Sequence, residues 1–242
     1  MKNKLKILHI SDSHSYHSLL NIPEDIDIII HSGDYSNYRD YYKNEPESRD
    51  FLNWYGALDV KYKVLISGNH DSMASINPTE FRDICNQKNI IYLENESIEI
   101  EGIKIFGTPI QPTFGNWYFQ KPRHKLDEFW KTIPIDTDIL VVHGPPKGLL
   151  DLSYSREGTL EYCGCKSLRN HILNRLNLKA CMFGHIHNYE DIINAGVTKL
   201  SIKDTLFSNG SIVSDNKFGY LTSNGNLFEY NIETKIMKVI NE

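Results

Sequence analysis

Short apolar runs, each stopped by a polar or glycine-containing turn, recur along the chain. Leu5 to Ile10 ends in Ser-Asp-Ser-His, Ile26 to Ile30 in His-Ser-Gly-Asp, and Tyr62 to Ile66 in Ser-Gly-Asn-His. Ile103 to Phe106 ends in Gly-Thr-Pro, Ile139 to Val142 in His-Gly-Pro-Pro, and Ala180 to Phe183 in Gly-His-Ile-His. Brief, continuous runs rich in Ile and Val predict strands covered on both faces. Helical spacing lies between some of them: Phe51, Leu52 and Tyr55 within Glu47 to Leu58, and Leu168, Ile172, Leu173 and Leu176 within Ser167 to Leu176. Glu80 to Asn86 and Lys125 to Lys131 are similar, whereas Ile98 to Phe106 reads as a hairpin turning at Glu101-Gly102. The C-terminal part, rich in Thr, Ile and Asn with Gly-Asn turns, reads as β. The pattern predicts one layered α/β domain over residues 1–242, without repeats or a linker.

Composition narrows the function classes. The chain is 40% hydrophobic and 24% charged, enough apolar material for a substantial core. Its net charge of −5 argues against sequence-independent nucleic-acid binding. An anionic substrate stays open, because bound divalent cations would supply local positive charge. No apolar run approaches the roughly 20 residues of a membrane span. Lys2, Lys4 and Lys6 resemble the basic start of a secretory leader, but the apolar stretch after them stops at Ile10, too early for one. Cys85, Cys163, Cys165 and Cys181 are too few for a disulfide scaffold, so a reduced, cytoplasmic protein is expected.

The chemistry-bearing residues fall just past predicted strand ends: Asp12 and His14, Asp34, Asn69 and His70, His143, His185 and His187. In open α/β sheets that edge is where ligands bind. In an extended segment, residues two apart point to one side, so Asp12/His14 and His185/His187 are expected to present their side chains together. Carboxylate, amide and imidazole donors without thiolates suit Mn, Fe, Zn or Ni better than Ca, and argue against a structural zinc. The donors exceed what one cation needs. Two ions sharing a carboxylate use them more naturally, and clamp both oxygens of a displacement at phosphorus.

The ordered set Asp12-Ser-His14, Gly33-Asp34, Gly68-Asn69-His70-Asp71, His143 and Gly184-His185-Ile186-His187 resembles the calcineurin-like metallophosphoesterase family. His31-Ser-Gly-Asp34, Gly107-Thr-Pro109 with Asn116-Trp117, His143-Gly-Pro-Pro146, Gly164-Cys165 and Asn209-Gly-Ser211 resemble its metallophosphoesterase-domain, cyclic-nucleotide phosphodiesterase-like branch. The resemblance implies a four-layer α/β/β/α sandwich of two mixed sheets flanked by helices, with the metal site at the strand C-terminal ends. It implies that Asp12, His14 and His187 hold one metal, Asn69, His143 and His185 the other, and that Asp34 bridges them. His70 is then no ligand but the residue facing the phosphate, and the candidate general acid. The implied attacker is a hydroxide bridging two divalent ions, Mn foremost, with Fe, Zn or Ni as alternatives.

One departure concerns His70. Where the phosphoprotein-phosphatase branch carries Asp and then Arg after the bridging carboxylate, this chain has Asn37 and Tyr38, which makes a phosphoprotein substrate less favoured. Trp117, in an aromatic loop, either stacks on a base or packs on the core; Asn209 either approaches substrate or makes a turn. Arg123 and Arg156 are either second-phosphate contacts or solvated surface. The leading expectation is hydrolysis of a small nucleotide phosphodiester, such as a cyclic nucleotide, with no membrane partner. A nuclease or nucleic-acid end-processing phosphatase is the alternative enzyme, and a non-catalytic binding scaffold the alternative class.

Overall fold

The burial of three successive isoleucines shows how the layers are built. Ile28 and Ile30 point to one side of their strand and Ile29 to the other, yet all are fully buried. Ile28 and Ile30 pack with Val64 and Ile66 against Ile105, Ile139, Val141 and Met182 of a second sheet. Ile29 joins Leu8, Ile10 and Leu65 in packing against Phe51, Leu52, Tyr55 and Phe81 of the helices outside. On the far side, Phe106, Leu140, Val142 and Phe183 of the second sheet meet Trp130, Leu168 and Ile172. The computed structural model, which describes residues 2–155, 157–215 and 217–240, is therefore an α/β/β/α sandwich with three apolar interfaces. Arg156 lies outside the described residues.

Among the described residues, each of the two layered sheets has six strands. In the first, Lys4–Ile10, Ile28–His31, Tyr62–Leu65 and Ile90–Tyr92 run parallel, with Asn226–Asn231 and Ile236–Val239 added antiparallel at one edge. In the second, Ile103–Thr108, Ile139–Val142, Ala180–Phe183 and Leu206–Asn209 run parallel, between antiparallel edges Glu96–Ile100 and Gly196–Lys199. Register makes the strand ends level. Ile10 pairs with His31 and His31 with Leu65, so the loops carrying Asp12, Asp34 and Asn69 leave the sheet side by side. The expected hairpin turns at Glu101 (φ 49°) and Gly102 (φ 78°), the paired positive angles that tight two-residue turns need.

The first long helix departs from the sequence reading. It spans Tyr41–Ala57, six residues longer at its start than Glu47, with Asp40 accepting a bond from Lys43 N as its cap. Pro46, the residue before the expected start, sits inside the helix, where it costs one backbone bond. The packing of Phe51, Leu52 and Tyr55 offsets that cost. The other helices, Pro78–Gln87, Leu126–Trp130 and Lys166–Asn174, lie where spacing placed them; Ser72–Ile76 is a short helix the pattern did not show.

His9 and His31 are buried polar posts between the strand ends. His9 bonds Ser208 and Ser32 through its two nitrogens, while His31 Nδ1 accepts from Gly33 N and its Nε2–H faces Ser13 Oγ. Burial pushes both down from 6.5 to about 3, so the fold binds them neutral. The unfolded chain takes up protons that the fold excludes, so their contribution is complete above about pH 6.5 and lost as pH falls toward about 3. Inside that window, stability is expected to fall by about 1.4 kcal/mol per pH unit for each histidine. Urea unfolding at several pH values checks this; a flat midpoint between pH 6 and 4, in round figures, would count against it.

Candidate metal centre

The ligand candidates emerge from strand ends with left-handed backbones. Asp12 (φ 53°), His14 (φ 40°), Asp34 (φ 55°) and His185 (φ 69°) all lie in this region. The extended geometry anticipated for Asp12/His14 is therefore replaced by a tight turn. Such residues store roughly 1–3 kcal/mol of strain each, and they persist where surrounding contacts hold them. Here the contacts are carboxylate to amide. Asp12 accepts from His185 N through both oxygens and from Ser211 Oγ at 2.8 Å; Asp34 Oδ1 accepts from His70 N at 2.7 Å. Gly68 and Gly184 are required beside them, since a Cβ at either would collide with the Asp34 or Asp12 carboxylate.

Two donor groups result. Asp12, His14 and His187 bring ligand atoms within 4.8 Å of one another, and so do Asp34, His143 and His185. Asn69 joins the second, its Oδ1 lying 3.1 Å from His143 Nε2. The tautomers follow from the outer partners. His14 Nδ1 faces the Ser36 carbonyl at 3.2 Å, and His143 Nδ1 the Ser32 carbonyl at 2.9 Å. His187 Nδ1 faces Asp215 Oδ1 at 2.6 Å. Carbonyl and carboxylate oxygens only accept, so each Nδ1 carries the proton and each neutral ring turns a lone pair inward from Nε2. His14 Nε2 then meets His187 Nε2 at 3.3 Å, with Asp12 Oδ1 3.1 Å from the latter. In the second group, His143 Nε2 meets Asn69 Oδ1 and Asp34 Oδ2, at 3.1 and 3.2 Å. Converging lone pairs without hydrogens between them fit a cation at each place.

Without cations, protons do the same work. Burial opposes a charged His143, but Asp34 with Asp12 overrides it and holds the ring to about 9. Burial likewise opposes a charged His187, which Asp12 and Asp215 raise to about 10. His14 and His185 are pushed down by burial and by these charged neighbours, to about 4 and about 3. Asp34 is held well below the usual carboxylate range: burial pushes it upward, and His143 and His70 pull it further down.

His70 stands at the rim, its side chain 21% exposed, with Nε2 4.0 Å from Asp34 Oδ2. The Asn37 backbone carbonyl, 2.5 Å from Nδ1, orients it; the Asn37 side chain does not appear in this contact. Glu47 fixes that turn by accepting from the N–H groups of Asn37 and Tyr38. Trp117 is half-buried, its ring 4.4 Å from that of His70 and beneath Arg39. Asn209 is fully buried, donating to Leu150 O and Ile186 O and accepting from Ser211 N, so it pins the loop of His185 and His187. Arg123 donates to the carbonyls of Cys163 and Gly164 and lines a pocket of about 680 Å³ that reaches His185. Cys165 caps the helix Lys166–Asn174 through its sulfur.

Several contributors escape sequence reasoning. Gln111 is 1% exposed and donates to Asn69 Oδ1 at 2.8 Å. Asp71 turns away from His70, and accepts from the N–H groups of Asp34, Gly68 and Ser36 and from Ser36 Oγ. Its place beside His70 in the motif is the only signal for it. Asp71→Ala is expected to lose at least about 3 kcal/mol in urea unfolding, because four buried donors lose their acceptor at once. A loss under about 1 kcal/mol would mean that the loops hold without it.

Paired buried O/N donor sets at the carboxyl edge of a two-sheet sandwich mark a metal-binding α/β protein. A model of the calcineurin-like phosphoesterase family matches residues 5–189, and the chain belongs to that family. It is 31% identical over 211 residues to metallophosphoesterase domain-containing protein 1 of Homo sapiens, an alignment covering 78% of this chain and 62% of the human one. The chain thus spans about three fifths of that relative's length. A UPF0046 protein of Caenorhabditis elegans is 32% identical over 213 residues, covering 81% of this chain and 74% of its own. One solved structure aligns over 98% of this chain and 99% of its own with a TM-score of 0.63 at 15% identity, a likeness of fold. Among the described residues, no helix is long and apolar enough to cross a membrane.

Proposed function

We propose that the chain is a dinuclear metal-dependent phosphodiesterase acting on a small nucleotide diester, such as a cyclic nucleotide. The observation that carries this is the pair of inward lone-pair clusters, with the tautomers of His14, His143 and His187 set by outer partners. Asp12, His14 and His187 would hold one divalent ion, Asn69, His143 and His185 the other, and Asp34 would serve both. When bound, the ions activate water and neutralise the phosphate oxygens, chemistry normally worth several kcal/mol. The protein residues divide the remaining work. His70, with Nδ1–H committed to Asn37, offers Nε2 to the departing alkoxide as a proton donor. Trp117 and Phe114 lie tilted against the rings of His70 and His185, 4.4 and 5.0 Å between centroids, and wall this edge of the site. The net charge of −5 favours a small substrate over an extended nucleic acid.

The test is a screen of the metal-stripped chain, reloaded with Mn, Fe, Zn or Ni, against bis-p-nitrophenyl phosphate, cyclic nucleotides, phosphomonoesters and oligonucleotides. Diester turnover restored by metal and stopped by a chelator, with the circular dichroism retained, is the expected result. Absence of turnover with every metal would favour a binding scaffold. Faster cleavage of oligonucleotides would favour the nuclease.

A further inference from the structure

We infer that Asp215 is a positioning residue for His187, a carboxylate supplied by the C-terminal segment that sets the affinity of one cation subsite and not the other. The inference rests on the dinuclear reading above. Asp215 lies beyond the family-matched span of 5–189, so the family motifs did not point to it.

The geometry is specific. Asp215 Oδ1 stands 2.6 Å from His187 Nδ1, the shortest outer contact of the ligand histidines described above. Its backbone is held in place. The segment Val213–Ser214 pairs with Lys217–Leu221 on one side, while Ser214 bridges Asn188 on the other. Asp215 N and Ser214 Oγ both donate to Asn188 O, the residue after His187. Asn188 is fixed in turn, its Oδ1 accepting from the N–H groups of Asn194 and Ala195. The carboxylate therefore faces His187 by construction of the loop rather than by a long side chain reaching out.

The chemistry then separates the two subsites. His14 and His143 give their outer N–H to neutral backbone carbonyls, whereas His187 gives its own to a carboxylate. A carboxylate partner fixes the same tautomer but also makes the inward nitrogen a stronger donor. This strengthening falls on the Asp12/His14/His187 group, because among the described residues the ligand that the Asp215 carboxylate hydrogen-bonds is His187. In that other group, Gln111 orients Asn69 with a neutral amide. The outcome is an unequal pair: one cation held tightly, its neighbour exchanging more readily.

The experiment titrates the metal-stripped wild type, Asp215→Ala, Asp215→Asn and Asp215→Glu with Mn²⁺ by calorimetry, with metal content read independently and thermal melting as a control for folding. Wild type is expected to bind two ions. Asp215→Ala is expected to weaken one of them by about 10–100-fold and leave the other unchanged. Asp215→Asn, nearly the same shape, keeps an acceptor without charge and should fall between; Asp215→Glu should recover part of the loss. Both affinities unchanged in a folded Asp215→Ala or Asp215→Asn would overturn the inference, and so would an equal loss at both subsites, which is what general loosening would produce. A wild type that binds fewer than two ions would overturn the dinuclear reading itself and this inference with it, whereas two ions with unaltered affinity in the variants would remove the inference alone.

Discussion

Asp34→Asn is expected to lower turnover by more than about 100-fold, and to leave the chain with fewer than two ions at metal concentrations that saturate wild type. The reasoning starts from outer partners, whose removal alone costs about 10–100-fold. Asp34 is itself a donor rather than an outer partner: its Oδ2 is 3.2 Å from the inward Nε2 of His143, and it belongs to a donor group that a cation fits. An amide retains the bond that Oδ1 accepts from His70 N, so the loop should survive. It removes the negative charge that holds His143 to about 9 and that a pair of dications would share. The loss should therefore appear in metal content and rate rather than in the melting temperature. Metal analysis beside kinetics decides it, and a variant with two ions and wild-type turnover would refute a shared Asp34.

His70→Ala separates chemistry from metal binding. The substitution is expected to leave both ions in place and slow turnover by about 10²–10⁴-fold, the usual worth of a positioned proton donor. Its ring is edge-on to His14, 4.8 Å away, and takes no part in either donor group. The same role predicts a dependence on leaving group. A p-nitrophenolate departs without much help, whereas a ribose alkoxide needs a proton, so the variant should be impaired far less on bis-p-nitrophenyl phosphate than on a cyclic nucleotide. Equal impairment on both would assign His70 to phosphate binding. Loss of a metal would make it a ligand.

Much of this molecule is legible in one dimension because its strands are buried on both faces. Such runs are short, continuous and stopped by turns, and the parallel register leaves their ends level, so residues after each run gather at one edge. This is why a layered α/β domain with its donors at one edge is legible in the runs, whereas the four-layer sandwich follows from the motifs' resemblance to the family. Helix starts were less legible. Pro46 carries a strong local signal for a beginning, and only the contacts of Phe51, Leu52 and Tyr55 with the sheet carry the helix through it.

The sequence alone determined which residue types stand at the strand ends, and therefore that oxygen and nitrogen donors, with no thiolates among them, would crowd that edge. Only the tertiary structure decided how they are used. Left-handed turns at Asp12, His14, Asp34 and His185, in place of the extended form expected for Asp12, His14 and His185, depend on carboxylate bonds to amides distant in sequence. In three of the four ligand rings the proton is placed by an oxygen on another loop: Ser36 for His14, Ser32 for His143 and Asp215 for His187. A hydrogen bond's direction depends on where both partners lie, and partners as far apart as Ser32 and His143 leave no periodicity for a sequence to display.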